Sequence, residues 1–217
     1  MTTLTTAPLE LRHHAASFEL RESSDTLSFR GYASVFDAPY SVGGVIETVR
    51  RGAFRETLAR GADCQLNVGH DGLPLARTVS GTLRLTEDYQ GLLVDADLDR
   101  ANPIVAQMAS GIRRGDITEM SFAFRDLDPT WSSDWTERTL TRVDIDRGDV
   151  AVVAWGANGA TSLEIERSLR AAREFAQGRR TPGKLDQYRA RVASGRRRHG
   201  FPLDTARAVV YIGKRGK

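Results

Sequence analysis

The chain has 217 residues, of which 40% are hydrophobic and 27% are charged, a composition typical of a globular protein with a core of its own. Its one cysteine, Cys64, excludes an internal disulfide and a cluster of cysteine metal ligands. The longest apolar run, about residues 150–157, is far shorter than the roughly 20 residues of a membrane span. The N-terminus lacks the pattern of a secretory signal, so we expect a soluble intracellular chain.

The charge is divided unevenly along the chain. Residues 166–217 carry 15 basic and 4 acidic side chains, a net charge of +11, whereas residues 1–165 carry 16 basic and 24 acidic ones, a net charge of −8. Such an asymmetry predicts a basic tail that interacts with an acidic partner or with nucleic acid. Few aromatic residues lie among the arginines of the tail, so stacking on bases is not indicated.

Hydrophobic periodicity predicts an α+β, β-rich chain. Residues 1–16 have no clear pattern and are predicted to be a flexible arm. Alternation of apolar and polar residues then predicts a series of short strands. They are Phe18–Arg21, Leu27–Val35, a strand that ends at Gly69, Gly81–Leu85, Leu92–Leu98, Ile117–Arg125, Trp135–Val143 and Asp149–Trp155.

Four-residue apolar spacing predicts helices over residues 51–60 and 102–113, with Pro103 suited to a first helical turn. A charged helix is predicted from Thr161 to about Gln177, followed by a break at residues 181–183. A short helix over 184–193 and a strand or disordered end over 206–212 complete the chain. These elements predict a β-rich domain over residues 17–165, large enough to be catalytic, and a basic helical or disordered tail over residues 166–217.

His70 follows Asn67 and Gly69 at the end of a predicted strand, where a side chain is exposed yet held by a rigid element. A single histidine in this position is more often an ordinary hydrogen-bonded loop residue than a catalytic base. His13, His14 and His199 lie in segments predicted to be mobile and are interpreted as non-catalytic. No metal-binding pattern such as HExxH occurs, so we expect no metal and no cofactor.

The segment Glu119–Arg125 predicts a strand with two different faces. Met120, Phe122 and Phe124 fall on one face and anchor it to the core, while Ser121 shares the other face with small neighbours. A serine on a stiff backbone suits a nucleophile, although the spacing by itself favours an ordinary sheet serine that points to solvent. A GxSxG nucleophile elbow is absent from the sequence, which argues against an α/β-hydrolase.

Acidic residues precede the apolar strand that begins near Val150. Asp144, Asp146 and Asp149 stand at the mouth of this strand, where a carboxylate can orient an imidazole and stabilise its cation. Acidic residues are also common in turns between strands, so the pattern by itself does not identify a catalytic group.

Taken together, these segments resemble the prohead maturation proteases of tailed bacteriophages. Six local patterns occur in the family's order. They are GYASVF at 31–36, RGAF at 51–54, His70-Asp71 with PLART at 74–78, EDYQGL at 87–92, MSFAFR at 120–125, and GDVAVV at 148–153 followed by GAN at 156–158. Arg51 departs from the usual proline, Ala76 from a glycine, Asp149 from a glutamate and Ala151 from a serine.

The resemblance implies a barrel like that of the herpesvirus assemblins, flanked by helices, and a serine endopeptidase with His70 as base and Ser121 as nucleophile. Asp149 is the preferred third member, with Asp71 and Asp146 as alternatives. The assemblins use a second histidine there, and none is expected near the site of this chain. The oxyanion donors are left open, with Arg142 and Arg147 as candidate cations.

By the same resemblance, the expected partners are the major capsid protein and its scaffold, with self-cleavage and self-association, inside the prohead in the bacterial cytoplasm. No membrane partner is expected. Two other classes stay open: a catalytically inactive assembly protein with the same fold, and a nucleic-acid binder acting through the basic tail, whose phosphate contacts would be steeply salt-dependent.

Overall fold

The computed structural model describes residues 7–154 and 159–177. The helix predicted over 184–193 and the final segment 206–212 lie outside the described residues. The described part contains short strands and three helices. Their bounds, in chain order, are β1 (Leu9–Ala15), β2 (Glu19–Glu22), β3 (Thr26–Val35), β4 (Tyr40–Val42), β5 (Val45–Val49), α1 (Arg55–Ala59), β6 (Gln65–Val68), β7 (Asp71–Arg77), β8 (Leu83–Glu87), β9 (Gly91–Asp99), α2 (Pro103–Arg114), β10 (Glu119–Asp126), β11 (Thr130–Trp131), β12 (Glu137–Leu140), β13 (Val143–Asp144), β14 (Asp149–Val153) and α3 (Gly159–Ala176).

A six-stranded sheet contains β10 and β14, the strands of the predicted serine and aspartate. Its strand order is β1-β10-β14-β6-β7, with β13 pairing with the end of β10. Neighbouring strands are antiparallel, except that β14 runs parallel to β6. Because β10 has hydrogen-bonded neighbours on both sides, its backbone is a rigid support for a reactive side chain.

Two four-stranded sheets complete the β structure. One is antiparallel, with the order β2-β3-β9-β8, and its strand β3 packs against β10. The other has the order β11-β12-β5-β4 and contains one parallel pair, β12 with β5. The β-rich prediction is therefore confirmed. The predicted barrel is not found, because the pairings among the described residues form three separate sheets and close none of them.

The core side predicted for β10 is confirmed by burial. Met120, Phe122 and Phe124 are each at most 1% exposed and belong to the main hydrophobic core. Phe122 meets Phe54 edge to face, with ring centroids 5.6 Å apart. Burying a side chain of this size contributes about 1.5–3 kcal/mol, so the core side of β10 is firmly anchored. We call this side of the six-stranded sheet the core face and the side that carries Ser121 the serine face.

Helix α2 confirms the prediction over 102–113 together with its signals. The Asn102 side chain caps the helix by accepting a hydrogen bond from the backbone N–H of Ile104 at 3.0 Å, and Pro103 occupies the first turn. The helix ends at Gly115, whose positive φ of 78° is the usual left-handed termination.

Two of the segments that differ from the sequence predictions adjoin the candidate site. Residues 9–15, placed in a flexible arm over 1–16, form β1 and pair along their whole length with β10. Residues 71–77, which include Pro74 and were not predicted to be a strand, form β7. This strand lies at the edge of its sheet, where the missing N–H of a proline costs no ladder hydrogen bond.

Strand β1 was missed because its charged residues point into the protein. Glu10 and Arg12 are each 1% exposed and lie on the core face. Arg12 donates to Glu47 at 2.5 Å, while Arg138 donates to Glu10 at 2.6 Å and to Asp126 at 2.7 Å. We call these five residues the buried ion network. Partners from four separate strands compensate the charges, and no local sequence pattern reports such pairing.

Helix α3 confirms the charged helix predicted from Thr161 to Gln177 and starts two residues earlier. Its Leu169 packs with Val42 and Val45, and the Arg173 guanidinium lies 5.3 Å from the ring centroid of Trp131. The helix runs across the boundary predicted between residues 165 and 166. The division into a domain over 17–165 and a tail over 166–217 stays a prediction.

Candidate active site

Ser121 lies near the middle of the serine face. It stands directly opposite Ala151 of β14 on one side and His13 of β1 on the other. Ser121 is 2% exposed, and its small neighbour Ala123 is equally buried. The core face therefore fixes the strand through three large side chains, while the serine face surrounds the hydroxyl with room for other polar groups.

His70 belongs to a two-residue hairpin turn. Val68 of β6 pairs with Asp71 of β7, and both residues between them have positive φ, 65° at Gly69 and 63° at His70. This is the backbone of a type I′ turn, in which glycine and asparagine are preferred. A histidine in the left-handed conformation costs about 1–2 kcal/mol. Strain of this kind is concentrated at functional sites, where it fixes a side chain in a required direction.

Asp149 opens strand β14 and is 7% exposed. The residue before it must be glycine, because a Cβ atom on Gly148 would lie only 2.5 Å from the carbonyl oxygen of Ala123. This close approach brings the start of β14 against β10. Asn67, directly opposite Ala151 on β6, donates from Nδ2 to Asp149 Oδ2 at 3.0 Å, which orients the carboxylate.

The structure brings the three predicted residues into one hydrogen-bonded chain. His70 Nε2 lies 2.6 Å from Ser121 Oγ, and His70 Nδ1 lies 3.0 and 3.1 Å from the two carboxylate oxygens of Asp149. His70 is the most accessible of the three, with 18% of its side chain exposed. A hydroxyl, an imidazole and a carboxylate in this order are the arrangement of serine hydrolases that use a triad.

The alternative third members lie elsewhere. Asp71 accepts a hydrogen bond from the backbone N–H of Gly72 at 2.7 Å, and Asp146 accepts one from the backbone N–H of Asp63 at 2.8 Å. Neither has a hydrogen bond to His70 among the described residues. The structure therefore favours Asp149 over both alternatives, although its side chain is one methylene shorter than the glutamate of the family motif.

The two arginines named as candidate oxyanion cations, Arg142 and Arg147, differ in their ion pairing. Arg142 is engaged by Glu56, with Nε 2.6 Å from Oε2, and both side chains are about half exposed. Arg147 has no ion pair within residues 7–154 or 159–177. It lines a shallow cleft beside Asp149 together with Asp63, Cys64 and other residues.

Burial, reinforced by the charge of Asp149, raises the pKa of the Cys64 thiol to about 12, so this thiol is not a nucleophile at neutral pH.

Sequence reasoning missed three polar residues around Ser121, His70 and Asp149. Asn67 was quoted beside His70 without a role. His13 was interpreted as non-catalytic, and no second histidine was expected nearby, but His13 pairs with Ser121 in register. Glu119 stands two residues before Ser121, and its Oε2 is buried with no hydrogen-bond partner among the described residues. Alternation on β10 places Glu119 on the serine face, whereas nothing local in the sequence signals His13.

Within residues 7–154 and 159–177, no group of three or more histidine, cysteine or acidic side chains is placed to hold a metal ion. No helix in the same residues is long and apolar enough to cross a membrane.

Comparison with known families agrees with this geometry. The family model of the caudovirus prohead serine protease matches residues 16–175. The chain therefore belongs to the caudovirus prohead serine protease family, and the resemblance seen in the sequence motifs is confirmed. Membership supports a role as a capsid-maturation protease. No curated protein and no solved structure matches the chain.

Proposed function

We propose that the protein is a serine endopeptidase in which Ser121, His70 and Asp149 form the catalytic triad. One observation carries this assignment. Both ring nitrogens of His70 are engaged at the same time, Nε2 by the serine hydroxyl at 2.6 Å and Nδ1 by the carboxylate. An ordinary sheet serine and an ordinary loop histidine have no reason to meet in this way, since they are 51 residues apart in the chain.

In the proposed mechanism, the Ser121 oxygen attacks the scissile carbonyl carbon while its proton moves to His70 Nε2. The imidazolium then gives this proton to the leaving amine, and water repeats the sequence to release the acyl group. Asp149 accepts from His70 Nδ1–H, which holds the tautomer that leaves Nε2 free, and it stabilises the cation. Asn67 and the buried start of β14 keep that carboxylate in place.

The substrate we propose is the scaffolding segment of the major capsid protein or a separate scaffold, together with the protease itself, inside the prohead of the host cytoplasm. Family membership supports this choice. The net charge of +11 over residues 166–217 supplies a physical route, because a basic segment binds an acidic scaffold and concentrates the enzyme during assembly. Residues 178–217 of this segment lie outside the described part of the chain.

The test is the intact mass of the capsid protein and of the protease after co-expression, for the wild type and for Ser121→Ala. We expect shortened products only with the wild type, because the variant loses one oxygen and the nucleophile with it. Loss of a triad serine costs about 10⁶-fold in kcat. Ser41→Ala, on the remote strand β4, is the matched control and should cleave normally.

Two outcomes would contradict the proposal. Products that are equally shortened with the wild type and with Ser121→Ala would show that Ser121 is not the nucleophile. Full-length masses in both, with capsids assembled, would favour the inactive assembly protein. Circular dichroism of each variant shows that the fold is retained.

A further inference from the structure

His13 lies beside the nucleophile on the strand opposite to the base. In the antiparallel pair of β1 and β10, His13 stands directly across from Ser121. Side chains at directly opposed positions point to the same face, with Cβ atoms about 4.5–5.5 Å apart. The imidazole of His13 therefore lies on the serine face, within reach of a group bound at Ser121.

The two histidines approach Ser121 from different sides. Across the serine face the order is His13, Ser121, Ala151 and Asn67, on neighbouring strands β1, β10, β14 and β6. His70 follows β6, so it reaches Ser121 across β14. His13 comes from β1. Within the described residues the His13 ring makes no hydrogen bond and no ion pair, so its N–H is free to donate to a ligand.

We propose that His13 is an oxyanion donor, whose ring N–H binds the negatively charged oxygen that develops on the substrate carbonyl during attack by Ser121. The inference rests on the proposed function. It supplies the component that the triad lacks, because a tetrahedral intermediate needs donors on the side of the nucleophile away from the base. His13 does not compete with Asp149, since His70 Nδ1 already faces that carboxylate.

The protonation state of His13 suits a hydrogen-bond donor that places no second positive charge beside His70. Burial lowers the pKa of His13, and the nearby Arg12 and His70 lower it further, whereas Glu119 raises it. Neutral imidazole carries one N–H and no charge at neutral pH. When His70 takes the serine proton, the site then holds one imidazolium rather than two adjacent cations.

The step balances without any further reactant. The Ser121 Oγ–carbon bond forms as the Oγ–H proton moves to His70 Nε2, and the π pair of the carbonyl moves onto its oxygen. His13 N–H donates to this oxygen and keeps its proton. The pair returns as the carbon–nitrogen bond breaks, and the amine leaves with the proton from His70.

The experiment measures how fast the full chain reacts with a fluorescent fluorophosphonate, a probe that forms an O–P bond to an activated serine and loses fluoride. The phosphoryl oxygen of the probe takes the position of the oxyanion. We expect His13→Leu to reduce the second-order labelling rate by about 100-fold, the lower end of the effect of losing one oxyanion donor. His13→Gln, whose amide N–H can donate, should recover part of that loss.

His14→Ala is the matched control. His14 is the next residue of β1 and points to the core face, where burial lowers its pKa to about 4 and its ring bonds to the backbone of Tyr32. This variant should be labelled within about threefold of the wild-type rate. Thermal unfolding of all variants identifies any loss of fold.

The outcomes separate the two proposals. Wild-type protein that is not labelled, or Ser121→Ala labelled at the same rate, overturns the proposed function. Labelling that depends on Ser121 but is equally fast in His13→Leu overturns only the role of His13. Equal losses in His13→Leu and His13→Gln, with both folded, also overturn it, because they show that shape rather than donation matters.

Discussion

The two faces of the β1–β10 pair carry very different polar clusters. On the core face, the buried ion network joins Arg12 and Arg138 to three carboxylates, and every ion is paired at 2.5–2.8 Å. On the serine face, the proposed triad lies among polar groups that have unpaired hydrogen-bond acceptors. Asn67 Oδ1 and Glu119 Oε2 have no hydrogen-bond partner among the described residues, and His70 has a positive φ of 63°.

The contrast shows how one pair of strands can serve two purposes. A buried charge is tolerated when all its partners are present, and removing one partner costs several kcal/mol because the others are left uncompensated. Unpaired polar groups and a strained backbone also cost stability. The unpaired groups, however, can bind a substrate, and the strain holds a side chain in the direction that the reaction needs. We therefore expect substitutions on the serine face to change rates more than stability, and substitutions on the core face to do the reverse.

After Ser121→Ala, the largest effect on the serine face is expected from Asp149→Asn. The amide cannot hold the same tautomer of His70 or stabilise its cation, and the equivalent change in a serine protease triad lowers kcat by about 10⁴-fold. The labelling rate with the fluorophosphonate measures this, while the melting temperature should change little because the substitution conserves shape.

Asp146→Asn is the matched control for that prediction. Asp146 lies three residues earlier, accepts from the backbone N–H of Asp63, and is one of the alternative third members. It should be labelled at close to the wild-type rate. The reverse pattern, with Asp146→Asn slow and Asp149→Asn fast, would reject Asp149 as the orienting group.

The largest effect on stability is expected on the core face. Arg138→Met keeps much of the side-chain volume but leaves Asp126 without its cation and Glu10 with Arg12 alone, so the free energy of unfolding should fall by about 3–5 kcal/mol. Urea unfolding measures this loss. The exposed Arg84, which pairs with Asp95 and Asp97, provides the control Arg84→Met, for which about 0–1 kcal/mol is expected.

The two faces would not be independent if folded Arg138→Met lost most of its labelling rate. The ion network would then act on the candidate site through β1, which carries Glu10 on one face and His13 on the other. An unchanged rate per folded molecule would show that the two faces are energetically separate.

The sequence predicted the strand of Ser121, β10, better than the strands that pair with it. Alternation around Ser121 identified the buried face, and family motifs in the right order led to His70 and Asp149. Strand β1 was not recognised, since Glu10 and Arg12 suggest an exposed segment until Glu47 and Arg138 are known to lie beside them. His13 was lost with that strand, because a register between residues more than 100 positions apart leaves no local pattern.

The smallest expected effect concerns the pH dependence of the ion network. Burial raises the pKa of Asp126 from its ordinary 3.8 to about 6, against the opposing effect of the Arg138 cation. Between these two values the folded state binds more protons than the unfolded state. The free energy of unfolding that depends on Asp126 therefore falls as the pH rises from about 4 to 6, by at most about 3 kcal/mol.

Urea unfolding of the wild type and of Asp126→Asn, at several pH values between 4 and 7, isolates this contribution, because the amide does not titrate. We expect the wild type to lose stability relative to the variant as the pH rises. A difference that instead grows in favour of the wild type would mean that the attraction of Asp126 to Arg138 outweighs the cost of burying its charge. The contrast between the core face and the serine face would then be one of pairing geometry rather than of charge balance.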